Sequence, residues 1–235
     1  MQTTIHKANT RGNVNMGWLN ANHSFSFGQW YNPERVHFGK LRVLNDDIVQ
    51  AGKGFGKHPH DNMEIVTIPL YGALEHNDST GGHGVIYKND VQVMSAGSGI
   101  EHSEFNHSKI EDANLLQLWV FTNNKNAVPR YDQKTFNSKD RHNKFQIVVS
   151  PYGNEGLWIY QDAWFSLGNF DSEISSTYTI NKTGNGVYLF VIEGEIEIDG
   201  NILSKRDAIG VWDTDSIDIK TNVDSEILLV EVPMN

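Results

Sequence analysis

Apolar positions along the chain gather into short runs closed by Gly, Asn or Asp. The segments "KLRVLNDDIV" (40–49), "IVTIPLYG" (65–72), "GVIYKNDVQVM" (84–94), "LLQLWVF" (115–121), "FQIVVS" (145–150), "GVYLFVIEGEIEIDG" (186–200) and "SEILLVEV" (225–232) are rich in Val, Ile and Leu. Such residues fit a pleated, half-buried surface, so these runs predict strands. In "EGEIEIDG", Ile196 and Ile198 alternate with Glu195, Glu197 and Asp199, as one buried and one solvated face require. No long stretch carries a helical period. Many short strands with frequent turns predict an all-β protein, a sandwich or a barrel.

The polar segment "TNNKNAVPRYDQKTFNSKDRHNK" (122–144) is poor in aliphatics and predicts a connection between two halves. Both halves carry a similar strand-rich pattern. Two related β-domains, residues 1–130 and 131–235, are therefore expected.

Composition narrows the chemistry. With 38 % apolar and 20 % charged residues in a chain of 235, a folded protein with a substantial core is expected. There is no cysteine, which removes disulfides, Cys-ligated zinc and iron–sulfur clusters. The net charge of −10, without a dense Lys/Arg cluster, argues against direct nucleic-acid binding. "MQTTIHKANTRG" at the N-terminus is polar, and no apolar run approaches the ~20 residues of a membrane span. A soluble, cytoplasmic chain without a membrane partner is the expectation; a protein partner stays open.

Candidate chemistry begins at "KHPHDNME" (57–64). In an extended chain, residues i and i+2 share a face, so His58 and His60 can converge on one ion. Pro59 has no N–H to give and suits a strand edge or start. Continued parity would add Glu64, Val66, Ile68 and Leu70 to the histidines' face. A second pair, His102 and Glu104, lies in "AGSGIEHSEFNHS" (96–108). On neighbouring antiparallel strands the two pairs would offer three imidazoles and a carboxylate, a donor set suited to Fe, Mn, Co, Ni, Cu or Zn. Parity leaves both Glu64 and Glu104 open as the carboxylate.

The remaining histidines read as structural. His76 sits in turn-rich "EHNDSTGG" and reads as structural ahead of a residue that orients a ligand at the barrel mouth, and His23 is a hydrogen-bonding residue beside Phe25 and Phe27. His6, His37, His83, His107 and His142 read as surface or turn residues without acidic or histidine partners. Phe55, Met63 and Phe105 neighbour the presumed ligands as pocket or core residues, and Trp119 and Trp212 read as core. No histidine follows His142, so the C-terminal half cannot build a His-rich metal site.

"GKGFGKHPHDNMEIVTIPLYG" (52–72) and "AGSGIEHSEFN" resemble the two cupin motifs. Together with "HSFSFGQW" (23–30), "HNDSTGGHGVI" (76–86) and "DVQVMSAGSGIEHSE" (90–104), they resemble the pirin family of two-cupin proteins over residues 18–121. The resemblance implies a bicupin, two tandem jelly-roll β-barrels, with a metal site in the N-terminal barrel only. It implies one divalent transition metal, usually Fe(II), on His58, His60, His102 and Glu104. The general cupin pattern would use Glu64 instead; the pirin-type "HSE" favours Glu104. Bacterial members imply quercetin 2,3-dioxygenase activity, with a flavonol and O₂ as substrates, Glu104 as catalytic base and loss of carbon monoxide. The alternative implied is an iron-binding regulatory module that engages protein partners without flavonol turnover.

Overall fold

The computed structural model describes residues 1–151, 153 and 155–235. Its strands form two seven-stranded and two four-stranded sheets. In the N-terminal half the large sheet runs in the order Arg130–Thr135, Asp90–Ser95, Met63–Tyr71, Ala113–Phe121, Leu41–Val49, Leu19–His23, Gly12–Asn15. The small sheet is Gly54–His60, Ile100–Asn106, Ala73–Asp78, His83–Tyr87. Leu19, Val49 and Leu115 from the large sheet pack with Leu74 and Ile86 from the small one and close this barrel at one end. The C-terminal barrel repeats the plan, Ile196, Ile198, Ile217 and Ile219 packing on Val187, Leu189, Ile227 and Leu229. Helix is confined to the short 3₁₀ turns Ala8–Thr10 and Ser138–Arg141 among the described residues, and no helix is long and apolar enough to cross a membrane.

The alternating pattern of the large sheets fills two cores at once. In Met63–Tyr71, Val66, Ile68 and Leu70 turn outward and meet Phe165, Tyr188 and Leu228 of the other barrel in one continuous cluster. Ile65 and Thr67 turn into their own barrel, where Thr67 reaches Glu104. The barrels thus stack back to back through their large sheets. Arg206 from one and Arg11 from the other end both place a nitrogen 3.2 Å from the buried Asp46 carboxylate, which also accepts from Asn114 Nδ2.

The sheets do not divide at 130/131. Gln2–His6 pairs antiparallel with Ala208–Trp212, at the edge of the C-terminal sheet, while Arg130–Thr135 pairs with Asp90–Ser95 at the edge of the N-terminal sheet. Each covers a row of backbone groups that would otherwise stand unpaired. The 122–144 segment therefore contains a strand as well as a connection. Two expected single strands also break in two. "GVIYKNDVQVM" turns at Asn89 (φ 77°) and "GVYLFVIEGEIEIDG" at Gly194 (φ 91°), both in the left-handed region that tight turns demand.

Candidate metal centre

Gly54–His60 is the edge strand of the small sheet, bonded only to Ile100–Asn106. Pro59 costs no ladder bond there. His58 lies directly opposite His102 in this antiparallel pair. Two residues further on, Glu104 faces Phe55 instead of Gly56, so the edge strand carries one extra residue between the two pairs. That bulge re-aims the His58 ring. Its Nδ1 donates to the Gly56 carbonyl at 2.8 Å, which leaves Nε2 as the nitrogen free to face the other imidazoles. The three imidazoles converge: ring centroids are 4.4 Å apart for His58–His102, 4.8 Å for His60–His102 and 4.9 Å for His58–His60. One nitrogen of each lies within 4.8 Å of the others.

Glu104 shares the face of His102 and is buried. Gln117 Nε2 donates to both its oxygens, at 3.0 and 3.3 Å, from the middle of the facing sheet. The same geometry groups Glu104 and His102 with His76. His76 is not the turn residue expected from "EHNDSTGG". It occupies the strand Ala73–Asp78, fully buried, opposite Glu104 in register, because Leu74, His76 and Asp78 alternate onto one face.

Asp78 sets the proton order of this row. Burial opposes its ionisation, but hydrogen bonds from Thr80, His76 and Gly82 outweigh that and hold the carboxyl below its usual range. The carboxylate accepts from His76 Nε2 at 2.9 Å, so in the neutral tautomer His76 Nδ1 is left as an acceptor. His102 Nδ1, 3.4 Å away, is then the donor and its Nε2 is bare. Burial, reinforced by neighbouring imidazoles, pulls His102 down to about 3 and His60 to about 4. Both rings are neutral near pH 7, as metal ligation requires. His60 Nε2 and His102 Nε2 are buried without a hydrogen-bond partner among the described residues. Two orphaned lone pairs pointing at a third bare nitrogen fit a transition metal better than they fit a packed core.

A cavity of about 420 Å³ opens beside His58, His60 and Glu104. Trp18, Phe27, Phe55 and Trp119 form apolar walls, with Asn45, Asp47 and Gln117 as polar points. Trp119 also stands edge-on to His60, centroids 4.8 Å apart. Size and lining match a small-molecule site.

Glu64 is elsewhere. The chain turns at Asn62 (φ 47°) and resumes in the other sheet, so parity does not carry past His60. The Glu64 carboxyl accepts from Ser95 Oγ at 2.5 Å, and burial raises its pKa despite that bond. Other expectations are revised too. His6 is buried, 2.9 Å from the Tyr188 hydroxyl, while His107 and His83 flank Glu75 and His142 pairs with Asp171. Phe55 lines the cavity, but Phe105 is 40 % exposed, since odd spacing turns it outward. His23 Nδ1 donates to Asn45 Oδ1 in a buried 2.9 Å contact, a structural hydrogen-bonder as expected.

Residues 4–120 match the Pirin family, and residues 147–232 match the Quercetinase C-terminal cupin domain. A quercetin 2,3-dioxygenase of Escherichia coli is 39 % identical over 230 residues, covering 97 % of this chain and 98 % of the relative. The chain belongs to the pirin family. A pirin-like protein of Caulobacter vibrioides is 37 % identical, covering 94 % of this chain and 95 % of its own. The solved bacterial pirin YhhW from Escherichia coli, in complex with nickel(II), superposes over 100 % of both chains with a TM-score of 0.94 at 37 % identity. The two barrels are accordingly the two cupin domains of a pirin, and the fold is a bicupin.

Gln117 and Asp47 lie beside this pirin's candidate centre without being singled out by the sequence, and His76 reads there as structural first. Each left a trace. His76-x-Asp78 is a third i, i+2 pair, like His58-x-His60 and His102-x-Glu104. Gln117 is the one polar residue inside "LLQLWVF", and Asp47 a second acid inside "KLRVLNDDIV". A polar residue in an apolar strand is more informative than a histidine in a loop.

Proposed function

We propose that the protein is a quercetin 2,3-dioxygenase that uses one transition metal per chain, with Fe(II) the first choice, held by His58, His60, His102 and Glu104. The observation that carries this reading is the set of imidazoles with bare Nε2 atoms at the head of an apolar cavity. Full-length kinship with an Escherichia coli quercetin 2,3-dioxygenase supplies the reaction.

When bound, the metal supplies a Lewis-acid and redox centre for a flavonol's 3-hydroxyl, its neighbouring ketone and O₂. The protein's own groups do the rest. Trp18, Phe27, Phe55 and Trp119 bracket a flat aromatic ligand and exclude water from it. Glu104 takes the proton of the 3-hydroxyl at a carboxylate oxygen, and Gln117 keeps that carboxylate aimed by donating to it. His76 and Asp78 hold His102 in the tautomer whose Nε2 faces the centre. Quercetin gains both atoms of O₂ at C2 and C4, its central ring opens, and C3 departs as carbon monoxide.

The test is metal analysis of protein purified without added metal, followed by oxygen-electrode traces with quercetin. About one metal per chain and many turnovers per metal are expected. Protein fully loaded with iron, nickel or copper in turn that consumes no oxygen with quercetin would overturn the proposal in favour of the regulatory alternative.

A further inference from the structure

Asp47 is an acid placed where a fold seeking stability alone would put an aliphatic residue. It is 6 % exposed, lines the cavity, and its Oδ1 is buried without a hydrogen-bond partner among the described residues. Its neighbour Asp46 is different: that carboxylate is satisfied by Arg11, Arg206 and Asn114. Among the described residues no basic side chain pairs with Asp47. Its register partners are Leu115 and Ala21, and with Leu19, Val49 and Leu74 these form the apolar end of the barrel.

Its depth follows from the strand register. Asn45 and Gln117 are paired across the sheet, and Gln117 holds Glu104, so this rung marks the level of the metal centre's carboxylate. Asp47 is two residues further along the same face, about 7 Å deeper at the rise of an extended strand. The cavity thus has a polar head at the histidines, aromatic sides at Trp18 and Phe55, and one unpaired carboxyl at depth.

We propose that Asp47 is the specificity-determining residue of the cavity, hydrogen-bonding an outer-ring hydroxyl of a polyhydroxylated aromatic ligand whose opposite edge lies at the histidines. The assignment rests on the flavonol reading of the site and says which flavonols it selects. A buried carboxyl left unpaired when a ligand expels water costs binding, so a ligand without the hydroxyl is penalised and one with it is not. A wall of Leu or Val would accept both.

The experiment compares quercetin with 3-hydroxyflavone, which keeps the 3-hydroxyl and ketone but has no outer-ring hydroxyl. Affinity is read on metal-free protein from quenching of tryptophan fluorescence, Trp18 and Trp119 being cavity residues. Wild type is expected to favour quercetin by about tenfold or more. Asp47→Leu abolishes that preference, whereas Asp47→Asn, with a hydrogen-bonding group of the same shape, keeps most of it. Asp47→Ala makes the same test without asking for extra space, should the leucine variant not fold. Equal affinity of wild type for both flavonols, or an unchanged preference in the leucine or alanine variant, overturns the assignment. Oxygen uptake by metal-loaded wild type separates the two claims. Turnover of both flavonols without discrimination sinks the Asp47 role alone; selective binding without turnover leaves that role standing and sinks the dioxygenase reading. Failure of wild type to bind either flavonol, metal-free and metal-loaded alike, overturns both.

Discussion

His76 Nδ1 stands 3.4 Å from His102 Nδ1, a spacing at which one of the two nitrogens carries a proton and the other receives it. Asp78, 2.9 Å from the far side of His76, decides which. A carboxylate two rings away thereby selects the nitrogen that His102 offers to a metal. Replacing His76 by Phe, or Asp78 by Asn, should weaken Ni(II) retention about 10–100-fold while the fold persists. Competition with a chelator of known affinity measures this, and unchanged retention in both variants would remove the positioning role.

The carboxylate of the centre can be decided by a pair of variants. Glu64→Gln should leave metal stoichiometry as in wild type, because Glu64 bonds to Ser95 in the opposite direction. Glu104→Gln should lose metal on dialysis. The reverse order would restore Glu64 as the ligand.

Gln117→Leu removes the principal donor to Glu104 and leaves a buried carboxylate less well held. A loss of about 1–3 kcal/mol is expected for such a group, or roughly 5–150-fold in rate if the hold matters in the transition state. The expected result is a fall in kcat for flavonol-dependent oxygen uptake with metal content near wild type. A fall in metal content with kcat per metal unchanged would assign Gln117 to metal retention only.

Asp47 gives the fold a measurable pH dependence. Burial first, then the charges of Asp46 and Glu104, push it from 3.8 up to about 8. Between those values the folded chain holds a proton that the unfolded chain has released, so stability falls as pH rises through this window. Below 3.8 no such loss exists. Asp47→Asn removes the titration, so in metal-free protein its Tm advantage over wild type should widen from pH 5 to pH 8. At this chain length each kcal/mol recovered is worth about 2–4 °C. A constant gap across the range would show that Asp47 ionises normally.

Local pattern carried much of this molecule. His58-x-His60 and His102-x-Glu104 are informative because strand periodicity needs no knowledge of the partner strand, and the two pairs do face each other. The same rule failed at Glu64, since one left-handed residue, Asn62, moves the chain into another sheet and resets the parity. His76 was hidden by its surroundings: "EHNDSTGG" is turn-like from Ser79 onward, yet its first residues are strand. Gln2–His6 could not have been placed by any local signal, because its pairing is chosen by a free edge some 200 residues away.

That first strand has a consequence for how the chain is made. Gln2 finds Trp212 and His6 finds Ala208 only after about 200 further residues have been made. At about 5–20 residues per second, the earliest segment synthesised waits roughly 10–40 s for its neighbour. The strands that carry His58, His60, His76 and His102, and the edge strand Arg130–Thr135 that completes the facing large sheet, are all available well before then. The metal-binding barrel can therefore assemble on the ribosome while Gln2–His6 is still loose, and that strand docks only later, on the edge of the other barrel.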